Sequence, residues 1–90
     1  MEYAIENEYL IVTVTTWGAQ VKSVVRKFDD VEHMWQADKS VWGYHAPILF
    51  PHTGKVVDDL IEAKGEVYQA KQHGFARLME HTLVRQTEDT

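Results

Sequence analysis

Hydrophobic and polar positions alternate along the first third of this chain, and they do so with a period of two. Leu10, Val12 and Val14 fall on one side of the segment Tyr9 to Thr15, and Tyr9, Ile11, Thr13 and Thr15 on the other, with β-branched residues throughout. Tyr3-Ala4-Ile5 reads as a shorter strand before it, and Asn7-Glu8 as the tight turn between them. Gly18-Ala19 breaks the pattern, which resumes over Gln20 to Phe28 with Val21, Ser23 and Val25 set against Lys22, Val24 and Arg26. Asp29-Asp30 is turn chemistry, and Glu32 to Gln36 predicts a short fourth strand carrying Met34 and Trp35. No window of helical length keeps apolar residues at i, i+3, i+4 and i+7, so no helix is predicted anywhere.

From Ala37 to Gly54 the alternation stops. Loops beyond about 12–15 residues are usually functional or disordered. This one holds Trp42, Tyr44, His45, Phe50 and His52, an aromatic content that argues against disorder. Beyond it, Lys55 to Asp58, Leu60 to Ala63 and Glu66 to Ala70 read as strands, with a bend at Asp59 and a turn at Lys64-Gly65. His81 to Arg85 predicts a last strand with Leu83 inward, and Gln86 to Thr90 a frayed polar end. The fold class is all-β: an antiparallel meander of short strands forming one unit over residues 1–90. Such a sheet has two edges with unpaired backbone groups, which predicts self-association through those edges or coverage by a longer polypeptide.

Composition narrows the function. At 90 residues, 44% hydrophobic and 11% aromatic, the chain suffices for one small domain with a thin stability margin. A net charge of −5 with scattered Lys and Arg offers no basic stripe for phosphates, so neither nucleic acid nor an anionic membrane is an expected partner. The absence of cysteine removes disulfides and thiolate metal sites and suits a reducing compartment. The acidic start Met1-Glu2-Tyr3-Ala4-Ile5-Glu6 has neither the positive nor the apolar region of a secretory signal, and no apolar run approaches the length of a membrane span, so the expected location is the cytoplasm.

Two segments carry the chemistry. His73-Gly74-Phe75-Ala76-Arg77 puts an imidazole, a glycine, an aromatic ring and a guanidinium into one short run. Gly74 permits a close backbone approach, which would set His73 and Arg77 at a pocket mouth with Phe75 packed inward. Leu49-Phe50-Pro51-His52-Thr53-Gly54-Lys55 turns the chain at Pro51 and Gly54. Trp42 in the long loop is a candidate for stacking on a ligand face. Taken alone, a histidine before glycine is more often a turn residue than a ligand, large aromatics are usually core, and Arg77 and Lys55 are as readily surface charges. His33, His45, His52, His73 and His81 show no spacing typical of a zinc site, so no metal and no cofactor are expected. The acidic pairs Asp29-Asp30 and Asp58-Asp59 read as turns.

In order, the blocks Ile5-Glu6-Asn7-Glu8-Tyr9-Leu10, Thr16-Trp17-Gly18-Ala19-Gln20-Val21-Lys22-Ser23-Val24, Met34-Trp35-Gln36-Ala37-Asp38, Trp42 with Ala46-Pro47-Ile48-Leu49-Phe50-Pro51, Gly54-Lys55, Gly65-Glu66-Val67-Tyr68 and His73 to Arg77 resemble the amino-terminal part of the aldose 1-epimerase (galactose mutarotase) superfamily, in its LacX-like branch. Family members are longer than this chain, so the resemblance implies a front fragment of a galactose mutarotase-like β-sandwich (supersandwich). It implies an isomerase activity on a monosaccharide, an aldohexose that is free or phosphorylated, by acid–base opening and reclosure of the sugar ring. The glutamate base and histidine acid of the family lie beyond Thr90, so no catalytic residue is expected here. His73 matches the family histidine that orients the sugar near its ring oxygen. Lys55 stands where the family usually has an arginine, and the exchange keeps the charge but loses the bidentate fork. Arg77 matches the arginine of the same run, which in related sugar-phosphate epimerases helps hold phosphate. Two alternatives remain open: a carbohydrate-binding module without catalysis, and a ligand-free structural or oligomerising domain.

Overall fold

The computed structural model describes residues 1–90. The alternating segments form an antiparallel meander of four strands, β1 (Glu2–Glu6), β2 (Leu10–Thr15), β3 (Gln20–Arg26) and β4 (Val31–Glu32), in the order β1-β2-β3-β4. Asn7 makes the first turn as expected, its Oδ1 accepting the amides of Tyr9 at 2.8 Å and Leu10 at 2.9 Å. The β2–β3 register runs Thr13↔Ser23 and then Val14↔Val21, so Lys22 is the extra residue of a bulge. A separate hairpin follows, β5 (Leu60–Ala63) with β6 (Glu66–Gln69). Lys64 (φ 52°) and Gly65 (φ 79°) close it with two left-handed residues, the geometry that matches strand twist in a two-residue loop.

Four expectations are corrected. The fourth strand stops at Glu32, before Met34 and Trp35: His33 still donates to the Val24 carbonyl at 2.8 Å, but the Glu32 carboxylate takes the amides of Val24 (2.8 Å) and Met34 (3.2 Å), and the ladder ends there. Lys55 to Asp58 is no strand: Val57–Asp59 is a 3₁₀ turn in which Asp58 (φ 56°) and Asp59 (φ 55°) are left-handed. A second such turn, Ala76–Leu78, follows the histidine–glycine run. His81 to Arg85 pairs with no strand, and Leu83 is 41% exposed rather than inward. The tail beyond it is not frayed, since Glu6 donates its amide to the Glu88 carbonyl at 2.8 Å and the Gln86 amide group reaches the Ala4 carbonyl at 2.8 Å. That places the tail along the outer edge of β1.

The long loop is ordered by side chains rather than by a ladder. Gln20, itself buried, accepts the amides of His45 (3.2 Å) and Ala46 (3.1 Å) on its Oε1. Trp35 donates its indole N–H to the Trp42 carbonyl at 2.7 Å. The β2–β3 turn then docks on the end of the chain, with Gly18 donating to the Met79 carbonyl at 2.7 Å and His81 to the Thr16 carbonyl at 2.9 Å.

The molecule is a slab of 53 × 33 × 17 Å. Its radius of gyration is 16.3 Å, against about 12 Å for a closed domain of this length. It exposes 6960 Å², where a closed domain of its 10.4 kDa exposes about 5,400 Å². Only Gly18, Gln20, Ala70, Gly74 and Ala76 are buried, and no large side chain is fully enclosed. The apolar residues that the alternation selects therefore line open faces. No helix is long and apolar enough to cross a membrane.

Candidate functional site

The segments 50–55 and 72–78 come together through their backbones. Phe50 offers its carbonyl to the amides of Phe75 (2.9 Å) and Ala76 (3.2 Å), and Gly74 lies directly against it. A Cβ on Gly74 would stand 2.1 Å from the Phe50 oxygen, and its φ of +76° is left-handed, so the close approach read from the sequence is real. Phe75 does not pack inward. It is 53% exposed, with its ring edge-on to Phe50 at 6.1 Å, because the slab provides no enclosed volume on that side.

Beside this contact, Gly54 and His73 make a reciprocal pair. The His73 amide donates to the Gly54 carbonyl at 2.9 Å, and the Gly54 amide donates to His73 Nδ1 at 2.9 Å. The second bond fixes both the ring and its chemistry. With Nδ1 accepting, the neutral imidazole carries its proton on Nε2 and presents that nitrogen as a donor. His73 itself is left-handed at φ 66°, a conformation uncommon for residues with a side chain and held here by the turn around it. It makes no hydrogen bond to a carboxylate.

Lys55 follows Gly54 directly. Its ammonium pairs with Asp59 Oδ1 at 3.3 Å and stays in solvent, the side chain being 67% exposed. Arg77 is more constrained. Its Nη1 donates to the Tyr44 hydroxyl at 2.7 Å, its Nη2 to the Gln72 carbonyl at 3.1 Å, and its guanidinium carbon lies 5.2 Å from the centre of the Tyr44 ring. The Trp42 ring centre lies 5.8 Å from that of Tyr44, the two rings tilted at 49°, and Trp42 is 48% exposed. The four residues singled out in the sequence thus fall into two linked pairs: Lys55 with His73 through Gly54, and Arg77 with Trp42 through Tyr44. Gln72, next to His73, joins the pairs.

Tyr44 is the residue that sequence reasoning missed as a site member. Its spacing two residues from Trp42 was visible, but nothing local tells that it meets Arg77. His52 was missed as well. Its Nε2 donates to the Lys71 carbonyl at 3.0 Å, and its Nδ1 is covered without a partner. His52 borders a cleft of about 820 Å³ between the β5–β6 hairpin and the 74–78 turn, walled chiefly by Pro51, Ile61, Tyr68, Phe75 and Leu78. None of His73, Arg77, Lys55 and Trp42 borders that cleft. It is the open apolar flank of the hairpin. No three His, Asp or Glu side chains gather around a common point where an ion would sit.

With this geometry in view, the comparisons are consistent with one another. The family model described as aldose 1-epimerase matches residues 1–90. The plasmid and chromosomal LacX proteins of Lactococcus lactis subsp. lactis are each 36% identical over all of this chain, which spans 31% of their length. Among solved structures, a galactose mutarotase related enzyme from Lactobacillus acidophilus superimposes with a TM-score of 0.93 at 41% identity, over 98% of this chain and 29% of that one. A galactose mutarotase-like protein from Lactobacillus casei gives 0.90 at 35% identity, over 98% and 30%. The chain therefore spans about a third of the relatives it matches, and the meander and hairpin described above are a portion of a galactose mutarotase-like β fold. On the family match, the identity and the superposition together, this chain belongs to the aldose 1-epimerase family.

Proposed function

We propose that this chain supplies the sugar-holding side of an aldose 1-epimerase site, in a family that interconverts the α and β anomers of aldoses. Mutarotation needs a base for the anomeric hydroxyl proton and an acid for the ring oxygen, at opposed protonation states. His73 suits neither role by itself, since its Nδ1 is occupied by the Gly54 amide and no carboxylate adjoins it. It suits a third one: the Nε2 proton is presented as a donor to a sugar oxygen. The reciprocal Gly54–His73 pair is the observation that carries this reading. Around it, Trp42 offers a half-exposed ring for the apolar face of a sugar, Lys55 an exposed cation, and Arg77 the link between loop and turn.

On this reading the proton-transferring glutamate and histidine lie outside residues 1–90, which form one partial β-sandwich unit. The ligand is a monosaccharide, free or phosphorylated. A cytoplasmic location fits the absence of cysteine, and association through open strand edges fits the exposed slab. Polarimetry of freshly dissolved α-D-galactose and α-D-glucose tests the division of labour. The chain is expected to leave the rate of mutarotation at that of buffer. An acceleration that His73→Ala abolishes would place the catalytic groups within these residues and overturn it.

A further inference from the structure

We propose that Arg77 is a positioning residue, a strut that holds the Trp42–Tyr44 loop against the His73 turn, and that it makes no direct contact with an anionic group of the ligand. The inference rests on the sugar-holding reading above for its consequence, but not for its geometry.

Three attachments define the strut. The Arg77 backbone packs against the β2–β3 turn, its carbonyl lying where a Cβ on Gly18 would stand 2.7 Å away, while Gly18 donates to the Met79 carbonyl at 2.7 Å. From that base the side chain crosses to the loop, where Nη1 meets the Tyr44 hydroxyl at 2.7 Å and the guanidinium stacks on the Tyr44 ring at 5.2 Å. Its Nη2 holds the Gln72 carbonyl at 3.1 Å, one residue before His73. Phe50 and Gly54 tie the far end of the loop to the turn through the backbone, and the Arg77 side chain ties the Trp42–Tyr44 stretch to it.

The same bonds argue against an anion site. A guanidinium holds phosphate or carboxylate best through two parallel N–H groups on one edge. On the Nε–Nη2 edge of Arg77, Nε is covered and without a hydrogen-bond partner, so an anion from outside does not reach it, and Nη2 donates to a carbonyl. Arg77 joins none of the four ion pairs of the chain, so its charge is balanced by a ring face and two oxygen dipoles.

The test is a pair of nuclear magnetic resonance measurements on the labelled chain. Without sugar, Tyr44→Phe removes one acceptor and keeps the ring. The resonances of Gln72, His73 and the Trp42 indole are expected to move while those of β1–β3 hold. If only neighbours of Tyr44 move and Gln72 and His73 stay fixed, the strut is refuted. With sugar, Arg77→Lys is titrated with D-galactose and with D-galactose 6-phosphate, folding being checked on the β1–β3 resonances. Both affinities are expected to fall by the same factor, about threefold to tenfold, the loss that accompanies one displaced hydrogen bond. A loss confined to the phosphate ester would make Arg77 an anion ligand and overturn the proposal. If the unaltered chain binds neither sugar, the sugar-holding reading falls, and the sugar-free measurement still decides for or against the strut.

Discussion

Replacing Gly74 by alanine strikes the contact on which the candidate site is built. The methyl group would sit 2.1 Å from the Phe50 oxygen and 2.4 Å from its carbonyl carbon, distances that only a backbone shift relieves. That shift breaks the bonds from Phe75 and Ala76 to the Phe50 carbonyl. Each is worth about 0.5–1.5 kcal/mol. The left-handed φ adds about 1–2 kcal/mol for any residue with a Cβ. The sum is about 2–5 kcal/mol, a large fraction of the roughly 5–13 kcal/mol that a well-closed chain of this length commands. Gly65 supplies the control, because its φ is also left-handed at +79° but nothing lies within 4 Å of its Cβ position. Gly65→Ala should cost only the conformational part, about 1–2 kcal/mol. Urea unfolding of both variants, followed by tryptophan fluorescence, compares them directly. If Gly74→Ala moved the midpoint no further than Gly65→Ala, the close approach of the two segments would not be what holds the turn.

Two further outcomes follow from the side chains that order the loops. Glu32 is held below the usual carboxylate range, by the Ser23 hydroxyl foremost and then by the amides of Val24, Met34 and His33, against an opposing push from desolvation. A lowered carboxylate stabilises the fold above its ordinary pKa and loses that contribution as pH falls through the folded value. Glu32→Gln should therefore lower stability most at neutral pH and least in acid, where the carboxyl of the parent is already protonated, and so flatten the acid limb of stability against pH. Gln20→Leu leaves the His45 and Ala46 amides without their acceptor, a cost of about 1–3 kcal/mol, and should speed amide exchange through residues 44–46 while β1–β2 amides keep their protection. Unchanged exchange at those two amides would show that another contact holds the loop.

How much was legible in the sequence depends on the range of the interactions concerned. β1, β2 and β3 follow from alternation and from Asn7, whose side chain makes its own turn, and Lys64-Gly65 closes its hairpin as local chemistry dictates. Met34 and Trp35 look like strand, but the Glu32 carboxylate captures the Met34 amide that a strand would need. Val56 to Asp59 is β-branched and aspartate-rich, and the turn preference of the aspartates wins there. The tail was read as frayed because its anchors, Glu6 and Ala4, stand at the other end of the chain. At the site, the His73-Gly74 and Gly54-Lys55 runs announced themselves through glycine, whereas Tyr44 did not, since its partner Arg77 is distant in sequence. The inward Phe75 was expected from its neighbours, and the slab leaves no interior to receive it.

The central claim is that this chain holds a sugar at His73, and a titration of the isotope-labelled chain with D-galactose addresses it most directly. The Gly54 amide, which donates to His73 Nδ1, is the reporter because it senses any change in that ring. The account predicts saturable shifts at Gly54 and His73, with the Trp42 indole responding at the same sugar concentration, and loss of all three in His73→Ala. Shifts that never saturate, or saturable shifts that survive His73→Ala, would contradict it.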